Sequence, residues 1–180
     1  MAKNAADKKV SYRVYGTLSF IAAVVALVIS ALALWVFLFT TNMVRTELQA
    51  QKIYFPKAGS PSFSAEVYPE LQKYAGQQVD NAAKAKAYAN GYIGRHLHDV
   101  ADGKTYSEVS TLQRQNPNDE TLKKQKESLL QGETLRGILL GTGYAFGTIG
   151  QIAGLAALAL AAAGVLLFVL GLYLKARVRG

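Results

Sequence analysis

The residue types best suited to chemistry lie close together near the middle of the chain. His96 and His98 are its two histidines, and Asp99 and Asp102 follow at once. Imidazoles beside carboxylates are what zinc and non-haem iron sites use. On a helix, though, positions two apart point to nearly opposite sides. A zinc site also wants three or four converging ligands. The spacing therefore places His96 on a packed helix face and His98 in solvent, and no metal is expected. Ser60, Ser62 and Ser64 offer hydroxyls in a turn, but no base motif accompanies them. The chain has no cysteine, which excludes disulfides and thiolate metal sites. It has no glycine-rich phosphate loop. The expectation is a protein without catalytic residues, cofactor or small-molecule substrate.

The elements that surround these residues are set by where charge is missing. Of 180 residues, 51% are hydrophobic and 18% are charged, whereas soluble domains carry nearer a quarter charged residues. Val14 to Val44 and Gly137 to Leu174 hold no charge over 31 and 38 residues. About 20 apolar residues span a bilayer, so two membrane spans are expected. The net charge of +8 is concentrated beside them. Lys3, Lys8, Lys9 and Arg13 outweigh Asp7 before the first run, and Lys175, Arg177 and Arg179 follow the second. Lys and Arg dense beside a span favour the cytoplasmic side. No basic cluster on a folded face suggests nucleic acid. The apolar run continues past Ala31-Leu32-Ala33, which resembles a signal cleavage site, so an uncleaved anchor is expected.

The expected fold is an all-α membrane protein, a two-span transmembrane hairpin with a helical exoplasmic domain between the spans. Residues 1–15 form a cytoplasmic basic tail, 16–44 the first span and 45–135 the exoplasmic domain. Residues 136–174 form an exoplasmic extension and the second span, and 175–180 a second basic tail. The expected location is the plasma (inner) membrane with both termini cytoplasmic. In the outer segment the first helix runs on to Gln51, and Pro56 and Pro61 impose an irregular turn. Pro69 opens a short helix to Tyr74. A helix is expected over Gln78 to Val100, with Ala82, Ala85, Ala89, Tyr92, Ile93 and His96 on its apolar face. Thr105 and Glu108 form a capping-box pattern ahead of a helix from Tyr106 to Arg114. Another helix restarts near Asp119 and continues into the second span, with Gly132 as a weak point.

The second span carries the most informative pattern. Gly143, Gly147, Gly150, Gly154, Ala157, Ala161 and Gly164 alternate four- and three-residue spacing, which keeps them on one helix face. Gly137 and Gly141 add a further Gly-xxx-Gly pair. The first span has a matching stripe of Gly16, Ser19, Ala23, Ala26, Ser30 and Ala33. In lipid, small residues let helix backbones approach closely, so the two stripes are expected to face one another over the inner half. The second run is too long for that to be all. It would extend ~57 Å as a helix, against a hydrocarbon core of roughly 30 Å. With Tyr173 at the inner interface, Gly137 to Gly150 projects beyond lipid as an apolar helix that needs a cover. The covers expected are the chain's own outer helices together with another membrane subunit.

The stretches Gln51-Lys-Ile53, Gly103-Lys-Thr-Tyr-Ser-Glu-Val109, Leu135-Arg-Gly-Ile-Leu-Leu140 and Tyr144-Ala-Phe-Gly147 resemble a group of small actinobacterial two-span membrane proteins. The likeness runs over most of residues 15–174. It implies membrane placement and topology, and it transfers no catalytic residue. Some of that group carry a ring-opening dioxygenase label. Such iron chemistry wants two histidines and a carboxylate converging on open positions, and one His-x-His segment does not supply them. The functional expectation is a non-catalytic accessory subunit of a larger membrane complex, with a respiratory supercomplex as the host by analogy. The alternative is a stand-alone envelope sensor or ligand-binding protein acting through its outer domain.

Overall fold

The computed structural model describes residues 2–179, with side chains over 7–178. Lys3 and Arg179, counted among the tail cations, fall outside the described side chains. The described residues are helical apart from turns and one isolated antiparallel bridge, Tyr54 with Gln78. Helix α1 is Ala2–Ala50, α2 Ala82–Lys86, α3 Gly94–Val100, α4 Tyr106–Gln115, α5 Glu120–Ile138 and α6 Phe146–Arg179. Two π-helical segments, Ala87–Ile93 and Leu139–Ala145, join α2 to α3 and α5 to α6. Short 3₁₀ turns occupy Pro61–Phe63 and Pro69–Tyr74. The chain divides into two compact units. One combines the segment up to Phe39 with the segment from Ile149, and the other is Thr40–Thr148.

The first unit holds apolar helix with little of it buried. Leu158, Leu166 and Leu155 are 71%, 70% and 69% exposed. Two helices, Asp7–Ala50 and Glu120–Val178, are long and apolar enough to cross a membrane.

The second unit builds a core of its own. Lys52, at φ +53°, turns the chain out of α1 in the left-handed conformation common just past a helix end. The Gln49 carbonyl near the end of α1 accepts from the Lys52 amide at 3.1 Å and from the Gln78 side chain at 2.8 Å. Phe55, Phe63, Tyr68, Tyr74, Tyr88 and Tyr92 then form a connected aromatic cluster with neighbouring ring centroids 5.0–6.2 Å apart. Phe55 and Phe63 are almost wholly buried. Asn81 caps α2, accepting from the Lys84 amide. That helix starts later than Gln78, because Val79 N–H donates to the Ile53 carbonyl and Phe55 N–H to the Gln77 carbonyl. The Thr105/Glu108 capping box forms with both of its bonds, and Asp119 caps α5.

Two expectations are corrected here. His96 is exposed, and Leu97 takes the buried position. The reason is the wide turn over Ala87–Ile93. An α-helix places 3.6 residues in a turn, and a π segment, bonded i to i+5, holds more. The buried line therefore runs Ala85, Ala89, Ile93, Leu97 and Ala101, four apart throughout. Gly132 is likewise no weak point, since it lies inside α5 with a Cβ's place only 2.5 Å from Leu97 Cδ2.

Glu108 is held below the usual carboxylate range by the Thr105 amide and hydroxyl. Glu70 is held low by its own backbone amide and by Arg95. Burial raises the Tyr88 phenol, with Tyr92 adding to the shift. A lowered acid contributes stability that is present above its unfolded pKa of about 4.3 and lost as pH falls through the lower folded value. A raised phenol contributes stability that is present below about pH 10 and lost as pH rises past it. Thermal unfolding of the purified chain should therefore be most resistant between these limits. Glu108→Gln should flatten the acid limb and leave the alkaline limb unchanged. A second expectation concerns two glycines of one helix. Gly137 has open space around a Cβ, so Gly137→Ala should stabilise by up to about 1 kcal/mol through helix propensity. Gly132→Ala should destabilise, because overpacking of about 1–3 kcal/mol outweighs that gain. Melting temperatures of the two variants should move in opposite directions.

Candidate functional site: small-residue packing faces

The glycines and alanines of α6 pack against α1 within the first unit. Built Cβ atoms at Gly154, Gly164 and Gly171 would meet Phe37 at 2.9 Å, Leu27 at 2.8 Å and Phe20 at 3.1 Å. A Cβ at Gly16 would lie 3.5 Å from the Gly171 carbonyl oxygen. Ser30 Oγ donates to the Ala157 carbonyl at 2.7 Å, and both residues are buried. Phe20 and Phe168 meet edge to face at 5.2 Å. Positions rise along α1 as they fall along α6, so the packing is antiparallel. Ser19, Ala23 and Gly150 are also buried, while Ala26, Ala33 and Ala161 are partly so. Without these small residues the backbones could not come close enough for a serine hydroxyl to reach across.

In the second unit the stripe meets a different neighbour. A Cβ at Gly143 would lie 2.8 Å from the Ala85 methyl, and one at Gly147 would lie 2.6 Å from the Ala82 methyl. Leu139 continues this buried line and is fully buried. Gly137 and Gly141 do not belong to it. Both are exposed, with nothing within 4 Å of a built Cβ. They lie on another side of the helix, with Ile138, Thr142, Ala145 and Phe146, all exposed.

Arg136 holds α5 to the wide turn at Ala87–Ile93. Its Nε donates to the Ala89 carbonyl at 3.1 Å and its Nη2 to Asn90 Oδ1 at 3.2 Å. Its Nη1 reaches both Glu133 carboxylate oxygens, at 2.7 and 2.9 Å. Arg136 thus clamps two helical segments together. Arg95 plays a similar part nearby, donating to the Val67 carbonyl, pairing with Glu70 and lying 5.6 Å from the Tyr68 ring.

The chemical candidates are not assembled into a centre. Among the described residues no group of three or more His, Asp or Glu could hold a metal ion. His98 and Asp99 face each other at 3.6 Å, both largely exposed. An open groove of about 580 Å³ borders His98, Lys104, Tyr106 and Glu133, with no nucleophile and base paired within it.

Three features escaped the sequence. Gly171 extends the stripe seven residues past Gly164, and Phe168 between them hides the repeat. The Ser30–Ala157 bond depends on a register that one chain's pattern does not give. The Arg136 clamp requires knowing that Ala89's carbonyl sits in a π turn.

Ser30→Ala should cost about 0.6 kcal/mol and at most about 1.7 kcal/mol, the mean and maximum for hydrogen bonds between membrane helices. Gly154→Leu should cost more, because even a Cβ there falls 2.9 Å from the Phe37 ring and a leucine must push the two helices apart. Leu166→Ala, at an exposed position, should change little. Unfolding in detergent followed by resistance to SDS should rank the three in that order, and equal effects would count against the packing face.

No protein-family model, curated protein or solved structure matches this chain.

Proposed function

We propose that this chain is a non-catalytic accessory subunit of a larger membrane complex. In this reading α1 and α6 cross the plasma membrane as a two-span hairpin, with both termini cytoplasmic and the 45–135 segment exoplasmic. A respiratory supercomplex is the host suggested by the resemblance to small actinobacterial membrane proteins.

The observation that carries the reading is the uncovered face at Gly137, Ile138, Gly141, Thr142, Ala145 and Phe146. The chain covers the Gly143 and Gly147 side of the same helix with its own α2 alanines. The other side combines open glycines with Ile138 and Phe146, 45% and 49% exposed. Apolar surface beside small residues suits a neighbouring helix packed closely, and contiguous apolar surface of this kind marks interaction sites.

The experiment is a native pull-down of the tagged chromosomal protein in mild detergent, with partners identified by mass spectrometry. A multisubunit membrane complex should co-purify in fixed stoichiometry. Gly141→Trp should abolish that recovery while leaving the melting temperature of the isolated chain within about 1 °C of the parent, because a side chain at 141 meets open space. Recovery of the chain alone, or full partner recovery with Gly141→Trp, would overturn the reading.

A further inference from the structure

The basic end of the α1/α6 pair carries a groove beside the packing stripe, sharing only Ser19 with it and lying apart from the exposed face at Gly137. It has a volume of about 440 Å³ and is lined by Tyr12, Tyr15, Ser19 and Ala22 of α1 and by Leu167, Leu170 and Leu174 of α6 among others. That volume falls within the range of small-molecule sites, but the walls are almost wholly apolar and the groove is open along its length. From Tyr12 to Ala22 it follows about 15 Å of helix.

The two walls end in the same way. On α1 the lining residues Tyr12, Tyr15, Ser19 and Ala22 keep three- and four-residue spacing, and the position four before Tyr12 is Lys8. On α6 the line Leu167, Leu170, Leu174 continues three residues further to Arg177. Each helix therefore places a cation on its groove face, one turn beyond the apolar lining. Both ends lie at the same end of the antiparallel pair, where Gly16 neighbours Gly171 and Lys175. Among the described residues, neither Lys8 nor Arg177 is paired with a carboxylate. Arg177 Nη2 and Nε donate to the Tyr173 hydroxyl at 2.8 and 3.2 Å, which fixes the guanidinium near this end.

We propose that this groove binds one anionic phospholipid, its acyl chain along Tyr15, Leu167 and Leu170 and its phosphate between Lys8 and Arg177. An apolar trough ending in two cations matches the division of a lipid into chain and charged headgroup. Basic pockets between membrane helices on the cytoplasmic side are suited to such headgroups. The inference rests on the membrane placement proposed above and is independent of any partner subunit.

The test uses the full chain, purified in a non-ionic detergent after its retention in carbonate-washed membranes has been measured separately. Loss of the chain in the wash would overturn the membrane placement itself. Phosphatidylglycerol, phosphatidylcholine and inorganic phosphate are then titrated, with binding read by native mass spectrometry and melting temperature. One phosphatidylglycerol per chain should be retained in preference to phosphatidylcholine, and phosphate alone should produce no shift. Each cation near a headgroup is worth about five-fold in affinity. The double variant Lys8→Gln/Arg177→Gln should therefore lose roughly 25-fold in phosphatidylglycerol affinity and keep its phosphatidylcholine affinity. Ala22→Phe should fill the trough and weaken both lipids while leaving the preference between them. Equal retention of the two lipids by the parent, a preference undiminished in the double variant, or a shift with phosphate alone would overturn the proposal.

Discussion

A line of missing side chains governs how this chain packs. From Gly143 to Gly171 the helix through α6 presents glycine or alanine at the points where another part of its own unit comes closest to its backbone, and a methyl group at several of these points would fall inside 3 Å of a neighbour. The hydrophobic effect cannot choose this face in the first unit if lipid surrounds it, because leucine is as comfortable against a lipid tail as against another leucine. What distinguishes the face is the distance that small residues permit. Closer backbones bring more atoms into van der Waals contact, and they bring the Ser30 hydroxyl within 2.7 Å of the Ala157 carbonyl. The large residues there, Phe20, Leu27 and Phe37, occupy the space the glycines leave.

In the second unit the same helix works under different rules. There the core includes an aromatic cluster built from the loop after α1, the 3₁₀ turns and the first π segment, and burial of Phe55, Phe63 and Leu139 supplies the drive. The glycines serve geometry. They let Ala82 and Ala85 of α2, a helix of only five residues, lie directly on the helix backbone. A helix that short has little stability of its own, so it depends on the contact. Arg136 adds a polar tie where the π turn leaves Ala89's carbonyl within reach of a second donor.

Much of this was readable in the residues. The capping-box signal at Thr105/Glu108 places the start of α4, because a side-chain cap is a local bond that needs no tertiary context. The small-residue stripe was readable for a similar reason, since spacing alone assigns a face. What failed was register through the π segments. The apolar line from Ala82 pointed to His96 under 3.6-residue geometry, and the extra residue in the wide turn moved it to Leu97. Gly137 and Gly141 shared a Gly-xxx-Gly spacing with the stripe but not its phase. Gly132 reads as a weak point because composition does not reveal that Leu97 fills its space.

The second π segment has a consequence for which faces of the helix are occupied. Leu139, Gly143 and Gly147 are four apart, and all are buried. In a plain α-helix each step of four advances the position by about 40° past a full turn, so the third residue would stand about 80° from the first. The wide turn over Leu139–Ala145 removes part of that drift. It keeps the three residues together toward α2 and the core, and by the same rotation it holds Gly137, Gly141 and Ala145 together on the far side. One local change in winding thus sorts a glycine-rich segment into a face the chain covers itself and a face it leaves bare. If a partner helix docks there, the π segment is what gives it a continuous strip of small residues, and relaxation of that turn to α geometry would disturb both faces at once.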